Sequence, residues 1–315
     1  MLAIGIDIGG TKILGALVDV SGKVIEELRV PSPAQDPDKM VDTVVELIEA
    51  LTQKATDVIA GVGVAAAGFI DADQSHILYA PNLNWRNEPM KDRLQARVTH
   101  PVFIENDANA AGWAEYKFGA GRGSKDMVML TLGTGVGGAI IADNKLRRGG
   151  FGIGGELGHV SVVHDGRICG CGRKGCVEQY ASGTAVLKAA RKLALSEGPM
   201  GARLSEIADG GELTGKQVSQ ALMEGDPGAT SVVRTAADYL AQAMGTIVAV
   251  LDPQVFVIGG GLSEAGDRIL DPIRESLGAY LPARGFRPEP KIVAASFNNH
   301  AGVIGAADLA RESVG

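Results

Sequence analysis

The stretch LAIGIDIGGTKILGALVDV, residues 2–20, sets two apolar runs on either side of Gly9-Gly10-Thr11-Lys12. Ser21-Gly22-Lys23 then turns the chain into a third alternating run, VIEELRV, before the first helical pattern begins. The protein therefore opens with antiparallel strands, whereas a dinucleotide-binding βαβ unit follows its first strand with a helix. Glycines in such a turn let backbone N–H groups reach phosphate oxygens without a Cβ in the way, and Thr11 and Lys12 add donors. A turn that merely closes a hairpin has the same composition.

Two later stretches repeat the pattern. MVMLTLGTGVGGAIIA, residues 127–142, is a strand, a turn at Gly133-Thr134-Gly135 and a second strand, an internal echo of the opening. VFVIGGGLSEAG, residues 255–266, is an apolar strand ending in Gly259-Gly260-Gly261 and running toward a helix, an end that can lie against a nucleotide. No P-loop is present, and no Gly-x-Gly-x-x-Gly opens a helix.

Further strands are expected at 58–65 and 102–105, and helices at 38–55, 108–119, 183–198, 229–251 and 301–313. Residues 196–226 read as helical and polar, and PSPAQDP at 31–37 is a loop. Short strands alternating with helices indicate an α/β protein. At 315 residues with 45% hydrophobic content, the chain exceeds the size at which one core usually divides.

The net charge of −7 gives no basic surface for nucleic acid, so a polyanionic ligand must be held by local features. The longest apolar run, MGTIVAVL, ends at Asp252-Pro253, too short for a membrane span. Three cysteines cannot all pair, and Met1 opens no secretory signal, so a reduced, cytoplasmic location is expected.

All three thiols lie within HVSVVHDGRICGCGRKGCVEQYASG, residues 159–183. His159, Cys169, Cys171 and Cys176 form a Cys3His set suited to tetrahedral Zn2+, with Gly170, Gly172 and Gly175 allowing the loop to turn tightly. Four protein ligands fill the shell, which marks the metal as structural. Glu156 and Glu178 flank the same loop, the second equally readable as a surface charge. In PVFIENDANAAGWAEYKFG, Asn106 and Asp107 stand where a strand meets a helix, so Asp107 reads either as an N-cap or as a base.

The order Asp-Ile-Gly-Gly-Thr-Lys, Gly-Thr-Gly-Val-Gly-Gly, Gly-Gly-Gly resembles the phosphate-1, phosphate-2 and adenosine segments of the actin, Hsp70 and sugar-kinase (ribonuclease H-like) superfold. That implies two α/β domains with nucleotide in an interdomain cleft. Asp7 would face the metal–phosphate complex, with Gly9, Gly10, Thr11, Lys12, Gly133, Thr134, Gly135, Gly259, Gly260 and Gly261 around ATP and its Mg2+. GGELGH together with CGCGRKGCVEQYASG is similar to the ROK family (repressors, open reading frames, kinases), above all its bacterial sugar kinases of actinobacterial type, from Ile4 to AGVIGAADLA.

This resemblance implies ATP-dependent phosphorylation of glucose, or a related hexose, at the 6-hydroxyl. Asp107 would be the base and Asn106 would hold neighbouring hydroxyls. Gly68 in AAAGFID, Asn82 in APNLNW, Glu156, His159 and Glu178 would supply the other sugar contacts, oriented by the zinc loop. The expected domains are 1–108 with about 301–315, and 109–300; relatives suggest a homodimer or homotetramer. Asn82 after Pro81 is also an ordinary turn residue, Trp85 reads as packing, and His76, His100 and His164 as surface.

One departure is FNNHAGVIGAA, residues 297–307, where relatives have a glycine at Asn298 and no histidine at 300. Kinases of fructose, allose or N-acetylmannosamine, a polyphosphate-using enzyme and a sugar-sensing repressor are the rival readings. The acidity and the absence of a winged-helix segment before Leu2 weigh against the repressor, and the absence of a basic track against polyphosphate.

Overall fold

Alternation along the opening strand decides what covers each side of the first sheet. The computed structural model describes residues 1–80, 83, 85–196 and 198–314. The chain forms two units, one of Met1–Lys125, Ala139–Gly155 and Ser296–Gly315, the other of Asp126–Gly138 and Glu156–Ala295. In chain order the elements begin with β1 (Leu2–Ile8), β2 (Lys12–Val18), β3 (Val24–Pro31), α1 (Pro37–Lys54) and β4 (Ile59–Ala66). Then come β5 (Phe69–Ile70), β6 (Ile77–Ala80), β7 (Trp85–Glu88), α2 (Met90–Gln95), β8 (Val102–Asn106) and α3 (Asp107–Lys117). The chain continues through β9 (Met127–Leu132), β10 (Val136–Ala142), β11 (Lys145–Leu146), α4 (Glu178–Ala181), α5 (Gly183–Ala194), α6 (Pro199–Ala208) and α7 (Gly215–Glu224). It ends with α8 (Pro227–Leu251), β12 (Val255–Gly259), α9 (Asp267–Leu277), β13 (Lys291–Ala294) and α10 (Ala301–Val314).

The first sheet has the order β3-β2-β1-β4-β8, with β1, β2 and β3 antiparallel and β1, β4 and β8 parallel. Ile4, Ile6 and Ile8 of β1 and Val62, Val64 and Ala66 of β4 share a core with Met40, Val44, Ile48 and Leu51 of α1. Each such large side chain contributes about 1.5–3 kcal/mol on burial. Helix α1 starts where Asp36 accepts a hydrogen bond from the Lys39 N–H at 3.0 Å with Pro37 behind it, and its apolar residues recur every three or four positions.

The alternate residues on these strands are small, and α10 takes the space. A Cβ on Gly5 would stand 1.9 Å from the Val303 carbonyl oxygen, and one on Gly63 equally close to that of Ala306. Helix meets strand backbone to backbone. On its other flank α10 meets α3, where a Cβ on Gly305 would lie 1.7 Å from the Ala110 oxygen. The Trp113 indole N–H donates to Asp308 at 3.0 Å, and Asp308 also pairs with Arg311 at 2.6 Å.

The second sheet has the order β11-β10-β9-β12-β13, with β9, β12 and β13 parallel. Its middle repeats the first sheet, since β2-β1-β4 and β10-β9-β12 each place a glycine-turned hairpin beside a strand parallel to its first arm. The internal echo in the sequence is thus an echo in topology. A three-stranded antiparallel sheet of β5, β6 and β7, not anticipated from the sequence, branches from the first unit.

Helix α5 stops at Ala194 rather than Gly198 because Leu195 is exposed, Gly198 has φ +151°, and Pro199 opens the next helix. Among the described residues no helix is long and apolar enough to cross a membrane.

Candidate active site and metal centre

Asp107 is the first residue of α3, but the cap is its neighbour. The Asn106 side-chain oxygen accepts from the Asn109 N–H at 3.0 Å, while its amide donates to the Gly68 carbonyl at 3.1 Å. A Cβ on Gly68 would stand 2.7 Å from the Tyr79 oxygen, so this position requires glycine. Asp107 accepts from the Ala108 N–H at 2.9 Å through one oxygen. Capping therefore belongs to Asn106, and the Asp107 carboxylate is left for another task.

Asp7 is the penultimate residue of β1, on the side covered by α10, close enough to Gly302 that a Cβ there would lie 2.9 Å from its Oδ2. Burial, then the like charge of Asp107, pushes the Asp7 carboxyl up to about 7, against the pull of Lys12. Burial also raises Asp107 above the usual carboxylate range. Both side chains keep partial access to solvent, but their carboxyl groups are surrounded by protein. Beside Asp7, the Gly9 N–H donates to the Lys12 carbonyl at 3.0 Å and closes the turn, leaving Gly10, Thr11 and Lys12 exposed.

Glu105 was not among the candidates, because a lone glutamate on a strand carries no spacing signal. It is 4% exposed, pairs with Arg148 at 2.6 Å, and accepts from Gln74, Asn109 and the Asn106 N–H.

In the second unit, the ends of β9 and β12 lie side by side, with Thr131 paired to Gly259. The Gly133-Thr134-Gly135 turn and the Gly259-Gly260-Gly261 end are therefore neighbours at the carboxyl edge of parallel strands, where α/β sheets hold ligands. Gly260 has φ +82°, and a Cβ on it would meet the Leu132 backbone at 2.6 Å. A Cβ on Gly133 would meet nothing within 4 Å, so that glycine leaves open space. The carbonyls of Gly133 and Thr134 accept from Gly183 at 2.8 Å and the Thr184 hydroxyl at 2.7 Å, anchoring the turn to the start of α5.

The ligand atoms of His159, Cys169, Cys171 and Cys176 all lie within 4.8 Å of one another. Cys169 Sγ is 3.6 Å from His159 Nδ1, and Cys171 Sγ is 3.7 Å from Cys176 Sγ. A tetrahedron of zinc–sulfur bonds of about 2.3 Å has edges of about 3.8 Å, so the donor set fits such an ion. Burial, then the adjacent thiols, pushes Cys176 up to about 12, so three thiolates this close call for a cation.

Gly172 and Gly175 have positive φ, and a Cβ on Gly175 would stand 1.8 Å from the Val163 oxygen. Gly170 has neither feature, so the tight loop depends on two of the three glycines.

His159 faces two ways, since its Nε2 is 3.8 Å from Glu156 Oε2. Glu178 opens α4 between the cysteine loop and the second glycine turn. Its Oε1 is 3.5 Å from Cys169 Sγ, and its Oε2 accepts from the Val136 N–H at 3.2 Å. It is tied to both elements rather than free on the surface. A Cβ on Gly135 would stand 2.4 Å from that carboxylate.

The ROK family matches residues 3–313. This chain belongs to the ROK family. It is 44% identical over 313 residues to the glucokinase of Streptomyces coelicolor, covering 99% of this chain and 98% of that one. The solved ROK family glucokinase of Streptomyces griseus, in complex with glucose and AMPPNP, is 43% identical, with a TM-score of 0.89 over 99% of this chain and 100% of that one. A xylose repressor of Caldicellulosiruptor bescii is 34% identical over 86% of this chain and 69% of its own length. With these matches the two-domain actin-like architecture of ROK sugar kinases is the fold of this chain.

Within that ROK frame, the first unit assembles Asp7, the Gly9–Lys12 turn, Gly68, Asn106 and Asp107. The second assembles the glycine ends, Glu156, His159, Glu178 and the thiols. Asn82 lies outside the described residues. Asn298 has φ +45°, the backbone that a glycine adopts freely, and His300 Nε2 pairs with Glu27 at 2.7 Å. His164 is exposed as expected, whereas His76 is partly buried and bonded to Ser75 at 2.8 Å.

Proposed function

We propose that this protein transfers the γ-phosphoryl group of ATP to the 6-hydroxyl of glucose. The observation that carries the reading is the full-length match to a glucokinase holding glucose and AMPPNP, in a chain whose Asp107 is relieved of capping by Asn106. Asp107 accepts the hydroxyl proton as the sugar oxygen forms its bond to phosphorus and the bond to the ADP oxygen breaks. Burial raises the Asp107 carboxyl above its ordinary range, which makes its carboxylate a stronger base. Asn106, Gly68, Asn82, Glu156, His159 and Glu178 orient the hydroxyls, carboxylates and amides suiting groups that both donate and accept.

Backbone N–H groups of the Gly9–Lys12 and Gly133–Gly135 turns cradle the phosphates, and Gly259–Gly261 flank the nucleoside. Asp7 would face the Mg2+ that accompanies ATP, and that ion would supply charge neutralisation on the phosphates. His159, Cys169, Cys171 and Cys176 would hold a zinc ion that would fix the loop, leaving the Nε2 of His159 beside Glu156. The base side belongs to the first domain and the zinc and adenosine side to the second. We place the protein in the cytoplasm as a homodimer or homotetramer, which light scattering tests.

The deciding experiment couples ADP release to hexose, with glucose, fructose, mannose, allose and N-acetyl sugars in parallel. Fast turnover with glucose supports the reading. Sugar binding with no phosphoryl transfer, in protein holding one zinc per chain, overturns it in favour of a sensor.

A further inference from the structure

Glu105 is a carboxylate buried one residue from Asn106 and two from Asp107, yet no described role uses it. Its two oxygens divide their partners. Oε1 accepts from the Asn106 N–H at 2.9 Å and from the Asn109 amide at 3.0 Å, both at the start of α3. Oε2 accepts from Arg148 through Nε and a terminal nitrogen, each at 2.6 Å, and from the Gln74 amide at 3.0 Å. A buried carboxylate with donors on both oxygens is held in one orientation.

Arg148 brings a second segment to this point. Its carbonyl accepts from the Gly154 N–H at 2.7 Å, closing residues 148–154 into a loop whose chain runs directly on to Gly155 and Glu156. The loop also rests on the turn that carries Gln74, for a Cβ on Gly152 would stand 2.4 Å from the Asp71 carbonyl carbon, and Gln74 N–H donates to Asp71 O at 3.1 Å. One carboxylate thus joins the junction bearing the base to the segment that delivers the Glu156 and His159 residues.

We propose that Glu105 and Arg148 form a positioning pair that keeps Asp107 in register with the segment leading to the sugar-binding Glu156. The kinetic part rests on the glucose kinase reading; the structural part stands without it. Neither residue touches the reacting atoms, so the loss falls on turnover while nucleotide recognition is spared. The partners are separated by 43 positions in the chain, so the coupling is tertiary.

The test uses Arg148→Met, Arg148→Lys, Glu105→Gln and the Glu105→Gln/Arg148→Met double variant of the full chain, by steady-state kinetics and amide hydrogen exchange. We expect Arg148→Met to lower kcat with glucose about 10- to 100-fold with KM for ATP within about twofold, and Arg148→Lys to recover part of the loss. The double variant should be no worse than the poorer single one. Glu105→Gln should speed exchange across residues 147–156, and Arg148→Met across 105–112.

Additive losses, unchanged exchange in the distant segment, or a parallel rise in KM for ATP would each overturn the pair. Wild-type protein that turns over no hexose would remove the kinase reading, and the exchange measurements would still decide the pair.

Discussion

Asp107 and Asp7 carry opposite expectations, although both are carboxylates pushed upward by burial. Asp107→Asn keeps the shape but cannot accept a proton, so kcat with glucose should fall by about 10² to 10⁴ while glucose affinity changes only a few-fold. Equal activity by coupled assay would move the base elsewhere. For Asp7, the folded chain holds a proton up to about 7 that the unfolded chain releases near 3.8. Stability of the ligand-free protein therefore falls as pH rises through that window, and the cost is fully present above it. Asp7→Asn should raise the denaturation midpoint at pH 8 by the equivalent of about 1–3 kcal/mol and leave it nearly unchanged at pH 4. A pH-independent effect in urea titrations would show that the charge is not what costs. Asp7, beside a glycine turn, and Asp107, where a strand meets a helix, were legible as candidates because position and residue type agreed. Glu105 was not, since its partner Arg148 is brought to it only by the fold.

At the level of elements, glycines that look alike in the sequence divide into two kinds. Gly63→Ala sets a Cβ against the Ala306 backbone, with no flexible side chain to yield, and should lower the melting temperature by about 10 °C or more or prevent folding. Gly133→Ala meets nothing within 4 Å, so it should fold normally yet weaken ATP binding, which calorimetry reads. Normal ATP affinity in that variant would remove the turn from the nucleotide site. The cysteine loop offers a separate expectation, that purified protein contains one zinc per chain. Cys176→Ser should lose the metal and bind glucose at least about tenfold more weakly, with nucleotide affinity retained. Metal-free protein with full glucose affinity would disconnect the loop from the sugar. The hairpins, α1, α8 and the cysteine loop were readable because each combines a strong period or spacing with a stop signal. The sheet of β5, β6 and β7 was not, as strands of two to four residues leave no period to detect.

For the molecule as a whole, the acidic balance of 37 carboxylates against 30 basic side chains shapes the choice of phosphoryl donor. A long polyphosphate needs a basic track, so it should support less than about 1% of the ATP rate at equal concentration of phosphoanhydride groups. Comparable rates would require a cationic path. The repeated sheet order was foreshadowed by the two glycine hairpins, and the return of the chain to its starting unit near residue 301 was expected from the family resemblance, whereas the backbone-to-backbone seating of the returning helix on Gly5 and Gly63 was not. That return matters during synthesis. The seats at Gly5 and Gly63 are synthesised more than 230 residues before the helix that fills them, Ala301–Val314. Until that helix arrives, one face of the opening sheet lacks its cover, so the first unit cannot complete its core as its opening strands emerge.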